Sequence, residues 1–135
     1  MAECIFCRIL AGGLPAEIVY EAKGAIAFLD TYPRTRGHTL VVPRAHAPTL
    51  LELDDAGIGE LFVAVKTVSR KVRDALGAVG LNVGWNHGAA AGQHVMHLHV
   101  HILPRYAPGG PGIQGIAAGP PGGTPAQVAA AIRAA

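Results

Sequence analysis

Charged side chains are scarce in this sequence. Asp, Glu, Lys and Arg make up 15% of its 135 residues and leave a formal net charge of only +2 with the histidines neutral. That balance carries no electrostatic footprint for nucleic acid or for an anionic membrane surface. Long apolar runs are missing too, since nothing approaches the roughly 20 consecutive apolar residues that span a bilayer. Met1-Ala2-Glu3-Cys4 has neither the basic flank nor the apolar region of a secretory signal, so a cytoplasmic protein is expected. Cysteine is limited to Cys4 and Cys7. They stand too close together for a disulfide to constrain much chain, and reduced thiols available to a metal suit a cytosolic setting.

What is present is apolar sequence, half of the chain, about enough for one sizeable core and with no room for a second catalytic domain. Residues 4–10 read as a short helical turn ended by Gly12-Gly13 and Pro15. Residues 16–21 and 25–29 read as strands around a tight turn at Ala22-Lys23-Gly24, and a third strand over 39–42 stops at Pro43. Asp54 and Asp55 precede the one long helix, about 55–76. There Ile58, Leu61, Phe62, Val65, Val68, Val72 and Leu76 recur at helical spacing before Gly77. Strands follow at 81–85 and roughly 95–103, joined by a glycine-containing loop. Residues 107–123 hold eleven Gly or Pro in seventeen positions, which predicts an irregular excursion. Thr124-Pro125 then starts a final Ala-rich helix to about 134. The division is a domain at 1–106, the Gly/Pro-rich segment at 107–123 and a terminal helix at 124–135. The fold class is α+β: about five mostly antiparallel strands packed on one long helix.

The last strand carries His97-Leu98-His99-Val100-His101-Ile102-Leu103. Alternation at the strand period places the three imidazoles on one face, roughly 6–7 Å between neighbours, with the apolar residues turned to the core. Three groups that titrate near neutrality on one face suit proton transfer, nucleophilic attack or metal binding.

With that motif placed after a glycine-containing loop, the chain resembles the histidine triad (HIT) superfamily of nucleotide hydrolases and transferases, from about residue 4 to residue 105. The pieces in order are Ile5-Phe6-Cys7-Arg8-Ile9, Ala27-Phe28-Leu29-Asp30, Gly37-His38-Thr39-Leu40-Val41-Val42-Pro43, Asn86 with Gly92-Gln93, and the triad. The arrangement is most similar to the Hint-like branch. That resemblance implies a homodimer of α+β protomers acting on purine nucleoside phosphoramidates or related adenylates. It implies that Phe28, Asp30 and Thr31 surround base and ribose, with Phe6 and Leu14 at apolar pocket positions that serve equally as core. Asn86, Gly92, Gln93 and His94 match the phosphate loop. His99 matches the nucleophile, His101 its phosphate-side neighbour, and His38 a residue that supports the triad. Read from the residues alone, the loop either donates to phosphate or merely turns, and Asn86 either donates or merely caps.

A neutral imidazole attacks an α-phosphorus and leaves a nucleotidyl-histidine for water to cleave, provided its other ring nitrogen keeps its proton against a fixed acceptor. Gly92 allows close backbone approach, and the backbone N–H groups of residues 93 and 94 and the Asn86 amide are the expected donors to the non-bridging oxygens. His94 departs from the branch, which has a small hydroxyl residue there; it acts either as the leaving-group acid or through its backbone alone. Cys4 and Cys7 form a redox pair, two small core residues or half of a zinc site. The resemblance supplies His46 and His97 as the remaining zinc ligands, in a structural role. Two other functions compete with phosphoramidate or adenylate hydrolysis: dinucleoside polyphosphate hydrolysis and nucleotide-binding regulation with little turnover. An intact His99 disfavours the last.

Overall fold

The computed structural model describes residues 4–113 and 122–135. Five strands, β1 (Ile18–Glu21), β2 (Ala25–Leu29), β3 (Thr39–Pro43), β4 (Gly80–Gly84) and β5 (Val100–Arg105), form one sheet in the order β1-β2-β3-β5-β4. Every neighbouring pair is antiparallel. The expected α+β class holds.

Strand alternation separates two cores. Ala25 and Ala27 of β2, Val41 of β3 and Val100 and Ile102 of β5 join the larger core with the long helix α2 (Asp55–Leu76). Ile26, Phe28, Leu40 and Val42 point the other way, where Phe6 of the short helix α1 (Ile5–Leu10) covers them. Helix α2 has its predicted bounds because both ends carry strong local signals. The Asp54 carboxylate accepts from the Gly57 N–H at 2.7 Å, and Gly77 takes the left-handed conformation that stops the helix. Leu61, Val65, Val68 and Val72 bury one stripe. Truncating the fully buried Leu61 to Ala should cost about 2–5 kcal/mol.

The terminal helix α3 (Pro125–Ala134) is capped by Thr124 as expected and sends Val128, Ala129 and Ile132 into the same core as α2. Two helices, then, cover that face. Residues 107–113 are largely irregular, with a turn at 113, and the remainder of the Gly/Pro-rich expectation, residues 114–121, lies outside the described residues. Among the described residues no helix is long and apolar enough to cross a membrane.

The last strand differs from its expected course. It begins at Val100, not 95, and runs to Arg105, while residues 95–97 bend. Pairing of β3 with β5 stops at Val41 and Val100 because the next residues cannot continue the ladder. Pro43 has no N–H to give, its carbonyl is taken by the His97 ring at 2.8 Å, and the Leu98 N–H goes to Ala47 instead. His97 and His99 therefore precede the strand, and the three imidazoles do not form one regular strand row. The bend decides their separate tasks.

Candidate active site

Register puts Phe28 opposite Leu40, Leu40 opposite His101, and His101 opposite Gly84, a row across four strands on the face that α1 only partly covers. Above this row lies a cavity of about 400 Å³. Its apolar end is Ile5, Phe6, Ile9, Phe28 and Leu40; its polar end is Asp30, Arg34, His38, Asn86, His94, His99 and His101. Phe6 meets Phe28 edge-on at 5.4 Å and His99 edge-on at 5.1 Å, so α1 holds both the apolar floor and the central imidazole.

Hydrogen bonds fix which nitrogen of each ring carries the proton. A carbonyl only accepts, so the His99 contact to the His97 carbonyl at 2.8 Å is an Nδ1–H donor. The Nε2 lone pair of His99 is left for chemistry. The Arg34 backbone N–H donates to His38 Nδ1 at 3.1 Å, which leaves the proton of neutral His38 on Nε2, aimed at His101 Nδ1 2.9 Å away. His101 accepts there and so presents an N–H at Nε2. One lone pair and one N–H result, on rings whose centres are 5.0 Å apart.

Burial keeps these rings neutral. It pushes His38 down to about 4 against the opposing pull of Asp30, whose carboxylate is 3.6 Å away. His101 falls to about 3, first through burial and then through the neighbouring His99 and His38. His99 and His97 are lowered as well, again chiefly by burial, with the carbonyls they hold pulling back. A neutral imidazole is the form able to act as a nucleophile.

Beside this site the ligand atoms of Cys4, Cys7, His46 and His97 lie within 4.8 Å of one another. His97 Nδ1 is 3.5 Å from Cys4 Sγ and 3.6 Å from Cys7 Sγ, and His46 Nδ1 is 3.3 Å from Cys7 Sγ. A tetrahedron with metal–sulfur near 2.3 Å and metal–nitrogen near 2.0 Å has sulfur–nitrogen edges of about 3.5 Å. The His97 ring donates through Nε2 to Pro43, so its Nδ1 lone pair faces the thiols. Burial and the adjacent Cys4 raise Cys7, an effect a bound cation would reverse. The four residues fit a zinc-type ion. The other group of metal-capable residues, Asp30, His38 and His101, fits poorly because the His38 Nε2 proton occupies the space between them.

Of the residues expected around a nucleotide, Phe6, Phe28, Asp30, Thr31, Asn86, Gly92, His94, His99 and His101 all border the cavity, as does His38. Leu14 is half-buried and does not border it. Gln93 is buried and braces the loop instead. Its amide donates to Pro48 at 2.7 Å and Val95 at 2.9 Å, and its carbonyl accepts from Gly88. The Gln93 backbone N–H goes to the Gly88 carbonyl, which removes one of the two backbone donors expected for phosphate. Gly92 holds φ 98° and packs against the Asn86 amide, so only glycine suits this corner. Arg34, Tyr32, Leu40 and Val95 also line the cavity and were missed. Arg34 lies in a bend four residues before His38, a place that no sequence pattern marks. A larger cavity of about 600 Å³ beside α3 shares Asp30, Thr31 and His38 but is bordered by neither His99 nor His101.

Comparison with known proteins adds three findings. The HIT domain matches residues 11–108. A Bacillus subtilis protein named Protein hit is 45% identical over 107 residues, 79% of this chain and 74% of that protein, and an adenosine 5′-monophosphoramidase of Schizosaccharomyces pombe is 40% identical over 103 residues, 76% and 74%. The crystal structure of a zinc-bound histidine triad family protein from Mycobacterium smegmatis superposes with a TM-score of 0.85 at 31% identity, covering 98% of this chain and 92% of that one.

Proposed function

Because this chain belongs to the HIT domain family, we propose that it hydrolyses nucleoside 5′-phosphoramidates or related adenylates through a nucleotidyl-histidine intermediate on His99. The observation that carries the proposal is the His99 Nδ1–H held by the His97 carbonyl at 2.8 Å, which aims an Nε2 lone pair into the cavity. The named activity of the fission-yeast relative supports the substrate class.

In this reading the nucleoside lies over Phe28 and Phe6, with Asp30 accepting from the ribose hydroxyls. His99 Nε2 forms a bond to the α-phosphorus as the bond to the leaving group breaks; an oxygen leaving group departs with the electron pair as an anion, and an amine departs neutral by taking a proton from solvent water. His101 Nε2–H and the Asn86 amide donate to the non-bridging oxygens, where charge builds. Water then cleaves the P–N bond and restores the imidazole. His38 acts through His101 by keeping the proton of that ring on Nε2. Cys4, Cys7, His46 and His97 hold a structural zinc, which fixes α1 and the bend before β5. The functional unit is a homodimer. Edge strand β4 and its flank expose Val83 and Val79 (41% and 70%), and α2 exposes Val63 (67%), apolar surface that a second copy would cover.

Rapid quench of the protein with a radiolabelled adenosine phosphoramidate should trap an acid-labile adenylyl-protein that His99→Ala cannot form. Turnover without any such intermediate would remove His99 as nucleophile.

A further inference from the structure

A second hollow, about 370 Å³, adjoins the catalytic cavity. The two share Arg34, Asn86, Gly92, His94 and His101 as a common wall, while His99 borders only the first. A group displaced from phosphorus leaves opposite the attacking atom, so it departs past that wall. The far side is apolar: Trp85, Leu103 and Ile113. Gly84 makes room for the Ile113 side chain, whose Cδ1 takes the place an added Cβ would occupy. Trp85 packs edge-on against Phe62 at 5.4 Å and remains 38% exposed, leaving ring surface for a planar group.

The charge at the wall is positive. The Arg34 backbone is committed to His38, but among the described residues its exposed guanidinium meets no carboxylate, and no Asp or Glu borders the second hollow. A guanidinium stabilises an anion and does not surrender a proton near neutral pH. It helps a leaving group that departs as an anion and gives nothing to one that must be protonated.

We propose that this hollow is the leaving-group subsite, and that Arg34 makes the enzyme prefer nucleotidyl donors whose leaving group is an anion bearing a planar or apolar body over donors that expel a neutral amine. The inference rests on nucleotidyl transfer to His99. In that step the Nε2–P bond forms and the P–O bond to the leaving group breaks. The electron pair stays on the departing oxygen beside Arg34, and water later cleaves the P–N bond.

The test compares two donors of the same adenylyl group, diadenosine triphosphate, which expels ADP, and adenosine 5′-phosphoramidate, which expels ammonia. For Arg34→Gln the ratio of kcat/KM for the first over the second should fall at least thirtyfold, and Arg34→Lys should recover part of it. An unchanged ratio overturns the proposal. Calorimetry gives an arm that needs no turnover: the wild type should bind ADP at least tenfold more tightly than AMP, and Arg34→Gln should erase that difference while melting at the wild-type temperature. Equal affinity of the wild type for AMP and ADP overturns the subsite. If neither donor is turned over, the nucleotidyl-transfer reading fails by itself, and the ADP–AMP difference still decides the subsite.

Discussion

His97 and His99 stand two residues apart, and each spends one ring nitrogen on a backbone carbonyl, but they spend opposite nitrogens. His97 donates through Nε2 to Pro43 and turns Nδ1 toward two thiols; His99 donates through Nδ1 to His97 itself and turns Nε2 into the cavity. The same side chain becomes a candidate metal ligand in one place and a candidate nucleophile in the other. What differs is the backbone around them, a bend at residues 95–97 followed by the extended approach to β5. The His97 carbonyl also orients the His99 ring, so the two regions share one peptide group.

The strongest way to break this comparison is to remove the reactive ring. His99→Ala should lower kcat for an adenosine phosphoramidate by at least about a thousandfold, the scale of losing a covalent nucleophile. AMP affinity should stay within about tenfold, because the other lining groups persist. Activity within tenfold of wild type would show that the cavity works without His99.

On the other side of the peptide, Cys7→Ser should abolish stoichiometric zinc, expected at about one ion per chain by elemental analysis. The melting temperature should fall by about 10 °C or more, since binding energy at a structural site is folding energy. Turnover should fall less than in His99→Ala. A metal-free wild type from zinc-replete cells, as stable as its chelated form, would reduce the cysteines to core residues.

A smaller effect is expected one ring further from the chemistry. His38→Gln should cost about 10- to 100-fold in kcat, as loss of general positioning and proton placement does. It should also change the pH profile, since His101 would no longer have its proton fixed by His38 Nε2–H. A loss confined to KM would assign His38 to binding alone.

The pH dependence follows from the buried rings. His99 lies below the ordinary imidazole value, so the acid limb of kcat/KM should fall below pH 6.5. For stability, His38 and His101 titrate near 4 and 3 when folded and near 6.5 when unfolded. Between these values the unfolded chain binds more protons. Their contribution is therefore full above about 6.5 and is lost as pH falls through 4 towards 3. Thermal melts of Cys7→Ser across this range, which remove acid release of metal from the comparison, should show the decline. A flat profile would mean that the rings are more solvated than their burial indicates.

The least disruptive change concerns the exposed valines. Val63→Glu with Val83→Lys should shift the sedimenting species from dimer to monomer at micromolar concentration with little loss of helix content. A wild type that is already an active monomer would remove the dimer from the proposal.

Local sequence reached far where the physics was local. Asp54 and Gly77 close α2 because a capping carboxylate and a left-handed glycine act within one turn, and Thr124 does the same for α3. Phe28, Asp30, His38 and two of the three triad histidines, His99 and His101, converged on one cavity, while His97 turned to the thiols. Leu14 stayed outside it, and the backbone N–H of Gln93 closed its own loop. Arg34 escaped notice because a turn arginine has no pattern that distinguishes it from an ordinary surface cation.

Residue types and spacing by themselves determined the α+β order, the helix ends and the supply of imidazoles and thiols, because propensity, capping and alternation are written within a few residues. Only the tertiary structure decided what each imidazole does. A proton's place on a ring depends on which carbonyl or N–H arrives from a distant segment: Pro43 for His97, the bent His97 peptide for His99, and the Arg34 N–H, relayed through His38, for His101. No spacing along the chain encodes those meetings, because they exist only once the ladder between β3 and β5 has stopped at Val41 and Val100.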